Sequence, residues 1–162
     1  YDAQGRLARM SSPSGETVDW QWAPDAVTVT RNGASFQVRT DAEGRPLRMR
    51  QPDGAAWRFD YDAESRPRQI SVERGKSVAT ARFQEGRLVS IAGPYGDEFK
   101  YAYDTAGRVA AATDPAGATV DYEYDAKDRL RLAKLPDGRC MFHDYDDTSD
   151  RLLAERIGRC PR

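Results

Sequence analysis

The residues with the most obvious chemistry in this chain are carboxylates. Asp2, Asp62, Asp104, Asp125 and Asp146 recur at spaced intervals, and Asp144, Asp146, Asp147 and Asp150 form the densest acidic cluster. Paired carboxylates could hydrolyse a glycosidic bond, and oxygen ligands in a tight loop could hold calcium. His143 is the sole histidine and could serve as a general base or a pH sensor. Asp114-Pro115 could open an autoproteolytic motif, and Cys140 and Cys160 could form a disulfide.

Each candidate has a structural reading beside it. The recurring aspartates share one turn position, where an Asp side chain bonds its own backbone two residues on. Asp114 before Pro115-Ala116-Gly117 likewise begins a turn, and no partner motif follows it. His143 stands where other units place Trp20, Val38, Phe59, Tyr101 and Tyr122, a position for packing. Pairing across a loop at Asp146 to Asp150 sets Cys140 opposite about Arg156. Cys160 then lies four residues away, roughly 13 Å along a strand, too far for a relaxed bridge. Two free thiols are expected. The structural readings are preferred throughout, so no catalytic residue, metal site or cofactor is assigned.

The elements that must hold these residues come from a repeat. Tyr-Asp-x-x-Gly-Arg occurs at Tyr1 to Arg6 and Tyr103 to Arg108, with softer copies at Thr40 to Arg45, Tyr61 to Arg66, Tyr124 to Arg129 and Tyr145 to Arg151. A shortened copy runs from Phe83 to Arg87, and a degenerate one lies near Trp22 to Val27. Units therefore start near 1, 22, 40, 61, 83, 103, 124 and 145. Inside them Pro-x-Gly recurs at Pro13, Pro52, Pro94, Pro115 and Pro136, with Asn32-Gly33 and Arg74-Gly75 in the same place in two other units.

Both marks are turn chemistry. The motif positions are Asp2, Gly5, Arg6, Gly44, Arg45, Asp62, Arg66, Gly86, Arg87, Asp104, Gly107, Arg108, Asp125 and Arg129. Gly at the fourth turn position can adopt positive φ and close a hairpin loop. Asp128 and Asp150 replace it with a residue that tolerates that region, and Ser65 is a poorer substitute that predicts a looser turn. Asn32-Gly33 predicts a two-residue hairpin. After each second turn, positions alternate: Trp57, Phe59 and Tyr61 point one way, Arg58 and Asp60 the other. That is the pattern of a half-buried antiparallel strand. The first strands of the units are less regular. The fold class expected is all-β, roughly eight tandem antiparallel hairpins of about 21 residues. Its sixteen or so strands would form a meander that sheet twist curls or coils into a spiral.

Composition agrees and excludes other classes. Aromatic residues make up 10% and charged residues 31% of the chain, against disorder and in favour of a sheet with one wet face. The net charge is −1 with both signs interspersed, so there is no basic stripe for nucleic acid. No apolar run is long enough for a membrane span. The first residues lack a basic region followed by an apolar stretch, so no signal peptide is expected in this chain.

Tyr103-Asp104-Thr105-Ala106-Gly107-Arg108 with Asp114-Pro115-Ala116-Gly117, and Tyr1 to Leu7 with Pro13 to Gly15, resemble the YD or RHS repeat, and the resemblance covers essentially the whole chain. It implies a segment of the hollow β-shell of bacterial polymorphic toxins and insecticidal toxin complexes. In those proteins the shell holds a C-terminal toxin domain, released by autoproteolysis at paired Asp-Pro-x-Gly-Leu signatures. Here Ala118 follows Gly117 and no second copy is present. The chain is therefore expected to be a fragment, or a short orphan relic, of the repeat region of a secreted or cell-surface protein. Its implied partners are further RHS repeats and a toxin domain of the parent chain, and its role is structural and not enzymatic. An alternative is a glycan-binding module using an aromatic face of Trp20, Trp22, Trp57, Phe59, Tyr101 and Tyr122. Exposed sheet edges predict that the isolated chain oligomerises or aggregates unless its ends curl back.

Overall fold

In a computed structural model, residues 1–161 are described. They contain fifteen strands and no helix, with paired strands antiparallel and adjacent in the chain. Two compact units divide them: Tyr1–Arg87 with Gly93–Tyr95, and Leu88–Ala92 with the residues from Gly96 onward.

The first unit contains β1 (Arg9–Ser11), β2 (Thr17–Ala23), β3 (Ala26–Arg31), β4 (Ala34–Thr40), β5 (Pro46–Arg50), β6 (Ala56–Tyr61), β7 (Pro67–Arg74) and β8 (Ser77–Gln84). The second is built on β9 (Arg87–Ala92), β10 (Glu98–Tyr103), β11 (Val109–Thr113), β12 (Thr119–Tyr124), β13 (Leu130–Lys134), β14 (Arg139–Tyr145) and β15 (Leu152–Arg159). The sixteenth strand implied by eight complete hairpins is absent among the described residues, because the unit that opens at Tyr145 contributes only β15.

The two sequence marks build one kind of loop. In the Tyr-Asp turns, Asp2 N–H donates to Arg6 O at 2.8 Å and Gly5 N–H to Asp2 O at 3.0 Å. The Pro-x-Gly turns repeat this: Asp114 N–H to Ala118 O at 2.9 Å and Gly117 N–H to Asp114 O at 3.0 Å. The fourth loop residue sits at positive φ in both, 75° at Gly5 and 86° at Gly117. Ser65 takes φ 66° and closes its loop with bonds of 2.9 and 3.1 Å, so its turn is as tight as the glycine ones. Asn32-Gly33 makes the two-residue turn its sequence implies, with Arg31 opposite Ala34.

What separates the two turns is a bulge. In the five Tyr-Asp hairpins with a paired register, the strand after the loop carries one extra residue: Leu47, Arg68, Ala110, Arg131 or Leu153. The Pro-x-Gly hairpins keep register throughout. A bulge flips the side-chain alternation beyond it. That is why the first strands of the units read irregularly in the sequence.

One face of the sheet is apolar. In the first unit a cross-strand row runs Trp22, Val27, Val38, Met49, Trp57, Val72 and Ala79, one residue from each of β2 to β8. In the second, Tyr122, Ala133, Met141 and Ile157 form a similar row. These cross-strand contacts are the unit of sheet stabilisation. The sheet is single-layered, so deep burial is scarce: Leu132 and Cys140 are the largest fully buried side chains among the described residues.

Candidate functional site

The motif residues assemble into a clip that joins one hairpin to the next. Asp2 Oδ1 accepts the backbone N–H of Gln4 at 3.0 Å and of Arg6 at 2.8 Å, while Oδ2 accepts Arg6 Nε at 2.7 Å. Asp41 and Arg45, Asp62 and Arg66, Asp104 and Arg108, and Asp125 and Arg129 repeat the arrangement, with Nε to Oδ2 between 2.6 and 2.8 Å. At Arg6, Arg45, Arg108 and Arg129 the bound arginine then lies over the aromatic ring that opens the next copy. Arg45 is 4.9 Å from the Tyr61 ring centre, Arg108 4.5 Å from Tyr124, and Arg129 4.7 Å from Tyr145. These are cation–π distances.

The ring is held at its other end too. Tyr61 Oη donates to Pro46 O at 2.8 Å, Tyr124 Oη to Val109 O at 2.8 Å, and Tyr145 Oη to Leu130 O at 3.0 Å. Trp22 takes the tyrosine's place in the degenerate copy: its Nε1 donates to Leu7 O at 2.8 Å, under Arg6 at 5.4 Å. The arginines also reach sideways. Arg45 donates to Ser65 Oγ at 2.6 Å, Arg108 to Asp128 Oδ1 at 2.5 Å, and Arg129 to Asp150 Oδ1 at 2.8 Å. Those three acceptors are the residues that replace glycine, and each offsets its unfavourable backbone with a bond from the preceding copy. Arg87 is engaged as well, and Gly86 faces the Arg66 stem.

The turn aspartates are tuned by this network. Asp104 is held below its ordinary value of 3.8, first by the backbone N–H of Arg108, then, against opposing desolvation, by its guanidinium. At Asp2, Asp41, Asp62 and Asp125 desolvation pushes the carboxyl up, but the arginine's backbone and side-chain hydrogen bonds outweigh it and the net direction is down. Asp146 is lowered most strongly, by the Thr148 hydroxyl first and then the Ser149 and Thr148 N–H groups. Because the folded values lie below the unfolded value, this stability is present above about pH 4 and drains away as pH falls through the folded range. Acid titration followed by circular dichroism should show a flat plateau down to the carboxylate range and a loss below it, and Asp104→Asn should shrink that loss.

The other candidates fall into the sheet. His143 has a side chain only 9% exposed, with Nε2 3.3 Å from Glu155 Oε1 on the facing strand. Its Nδ1 is buried with no hydrogen-bond partner. His143→Phe, which installs the residue type used at Phe59, should leave the melting temperature unchanged or raise it in a thermal melt, since it removes a buried unsatisfied nitrogen. Trp20, Trp57, Phe59, Tyr101 and Tyr122 are half-buried and Trp22 is 41% exposed. Among the described residues no group of three or more His, Cys, Asp or Glu is placed to hold a metal ion.

The cysteines overturn an expectation. Cys140 and Cys160 form a disulfide, with Cα atoms 5.0 Å apart. They are not free thiols. The final loop runs from Asp146 to Arg151, one residue longer than Asp146 to Asp150, and a bulge between Asp144 and Tyr145 adds another. Cys140 therefore faces Gly158 instead of Arg156, and Cys160 lies close by across the strand.

Taken together, these features define a tandem β-hairpin repeat protein whose units are joined by an aspartate–arginine–aromatic clip. The RHS repeat family model matches residues 41–77, 84–119 and 103–139, more than half of the chain, which belongs to that family. No curated protein matches it in sequence. It is similar to crystal structures of TcdB2-TccC3-Cdc42 (11% identity, 97% of this chain and 14% of that chain, TM-score 0.43) and TcdB2-TccC3 (11%, 98% and 14%, 0.42). A Photorhabdus luminescens Tc holotoxin pore bearing a TccC3 mutation is similar at 11% identity, 98% and 14% coverage, and TM-score 0.41. The chain thus spans 14% of the length of these structures' chains.

Proposed function

We infer that this chain is a structural segment of an RHS-type β-shell that encloses or carries a toxin domain of its parent protein, and that it is not itself an enzyme. The observation that carries this reading is the clip. Aspartates at the motif turns bind their own backbone and arginine, and the arginine grips the next copy's ring. The residues that could have looked catalytic are thereby committed to joining hairpin to hairpin, as a continuous wall requires.

In this reading residues 1–162 are one repeat segment of a larger shell, with units starting near 1, 22, 40, 61, 83, 103, 124 and 145. Its partners are further RHS repeats and a C-terminal toxin domain. A secreted or cell-surface location is supported by the Cys140–Cys160 disulfide, which persists in oxidising compartments. No helix among the described residues is long and apolar enough to cross a membrane.

The glycan-binding reading is less favoured. The indole N–H of Trp22 is bonded to Leu7 O, and that of Trp57 is buried, so neither polar handle is free for a sugar. Limited proteolysis of the full-length gene product tests the shell directly. A C-terminal region that resists protease while the shell is intact, and is cleaved once the shell is opened, is the expected result. A C-terminal region cleaved at once would overturn it, and glycan-array binding abolished by Trp57→Ala would favour the alternative.

A further inference from the structure

The polar face of the first unit carries an arrangement of charge unlike the rest. Elsewhere on this face Arg9 meets Asp19, an opposite charge, and within the second unit Lys134 likewise meets Asp121. On β4, β5 and β6 the register instead places Arg39 opposite Arg48 and Arg48 opposite Arg58. Arg50 lies two residues further along β5, opposite Gln37. Like charges directly across a ladder repel and destabilise it.

The outer two arginines are compensated, Arg39 by Asp25 and Arg58 by Glu73 at 3.2 Å. Among the described residues no carboxylate pairs with Arg48 or Arg50. Arg48 Nε is buried and has no hydrogen-bond acceptor. Folded proteins rarely leave a buried charged donor unsatisfied, and a bound water or ion is the usual reason when one is seen. Gln37, Arg39, Arg48 and Arg50 together line a shallow groove of about 210 Å³.

We propose that this groove is an oxyanion site for a phosphate-class dianion. Two uncompensated guanidinium groups supply two positive charges and planar forks that match phosphate oxygens. Gln37 can add a carboxamide N–H₂ donor from β4. A dianion neutralises both free arginines and also offers oxygens to the unsatisfied Arg48 Nε, whereas a neutral ligand offers an acceptor but leaves both charges uncompensated. Free phosphate and the phosphate group of a monoester present the same chemistry, so the site is defined by that group.

Isothermal titration of the protein with inorganic phosphate, and separately with glycerol phosphate, tests it. Saturable binding is expected, weakened about tenfold or more in Arg48→Gln and Arg50→Ala, since charge-assisted hydrogen bonds are lost. Arg9→Ala, on the same face but paired with Asp19, should bind as the parent does. Arg50 is exposed, so Arg50→Ala remains informative should Arg48→Gln fail to fold. Binding of the inorganic ion alone would identify the free anion, and tighter binding of the ester would identify a monoester. No saturable heat with either, or binding retained in both variants, would overturn the proposal. So would binding of a glutamate-rich peptide in the absence of phosphate binding.

Discussion

Leu132→Ala should destabilise the second unit by about 3 kcal/mol, the usual cost of emptying a fully buried leucine position. Leu132 is 1% exposed in a sheet where most side chains are half-open. Its burial comes from the polar face. Its direct cross-strand neighbours are Glu123 and Phe142. Glu123 is pinned by Arg131 at 2.6 Å and Lys134 at 3.3 Å, and Arg156 lies 4.8 Å over the Phe142 ring. Both cross-strand neighbours of the leucine are thus held in place by charged side chains. A truncation cannot be refilled cheaply, because these neighbours are fixed by their own contacts. Ile157→Ala, at a 53% exposed position of the opposite face, should cost much less in the same denaturant titration. Equal losses would show that Leu132 is not the anchor of its unit.

Cys140→Ser should cost about 3 kcal/mol as well, through the unfolded chain more than through lost contacts. The bridge closes a 20-residue separation and ties the end of β15 to the start of β14. The remaining hold on β15 is its pairing with β14 alone among the described strands, and Leu152, Leu153 and Ile157 on it are exposed. Hydrogen exchange should therefore show β15 amides losing protection on reduction or in Cys140→Ser, while amides of β11 and β12 change little. Loss of protection spread evenly over the second unit would mean that the strands open as one block, contrary to a local tether.

The features legible in the sequence were those whose cause is local. Positive φ at Gly5, Gly44 and Gly107 follows from glycine at a fixed loop position, and the Asp turns follow from the reach of a short side chain. The alternation of Trp57, Phe59 and Tyr61 is visible because β6 has no bulge residue. The first strands of the hairpins were blurred by the bulge at Leu47, Arg68, Ala110, Arg131 and Leu153, which has no residue type of its own. The disulfide is hidden in the sequence for the same reason: a longer loop and a bulge shift the partner of Cys140 by two places in register. The arginine row at Arg39, Arg48 and Arg58 was invisible because its members lie nine and ten residues apart and meet only across strands. The stacking of Arg45, Arg108 and Arg129 on the next tyrosine ring did have a signal, the conjunction of Arg and Tyr in the motif. Turn chemistry accounts for the Asp and Gly of that motif but not for its Arg and Tyr.

Electron cryo-microscopy of the full-length gene product tests the central claim most directly. Residues 1–162 should lie in a continuous wall of hairpins, with Arg108 over Tyr124 and Arg129 over Tyr145, around enclosed density for the C-terminal region. An open sheet with that region outside it, or arginines detached from these rings, would contradict the shell and the clip together.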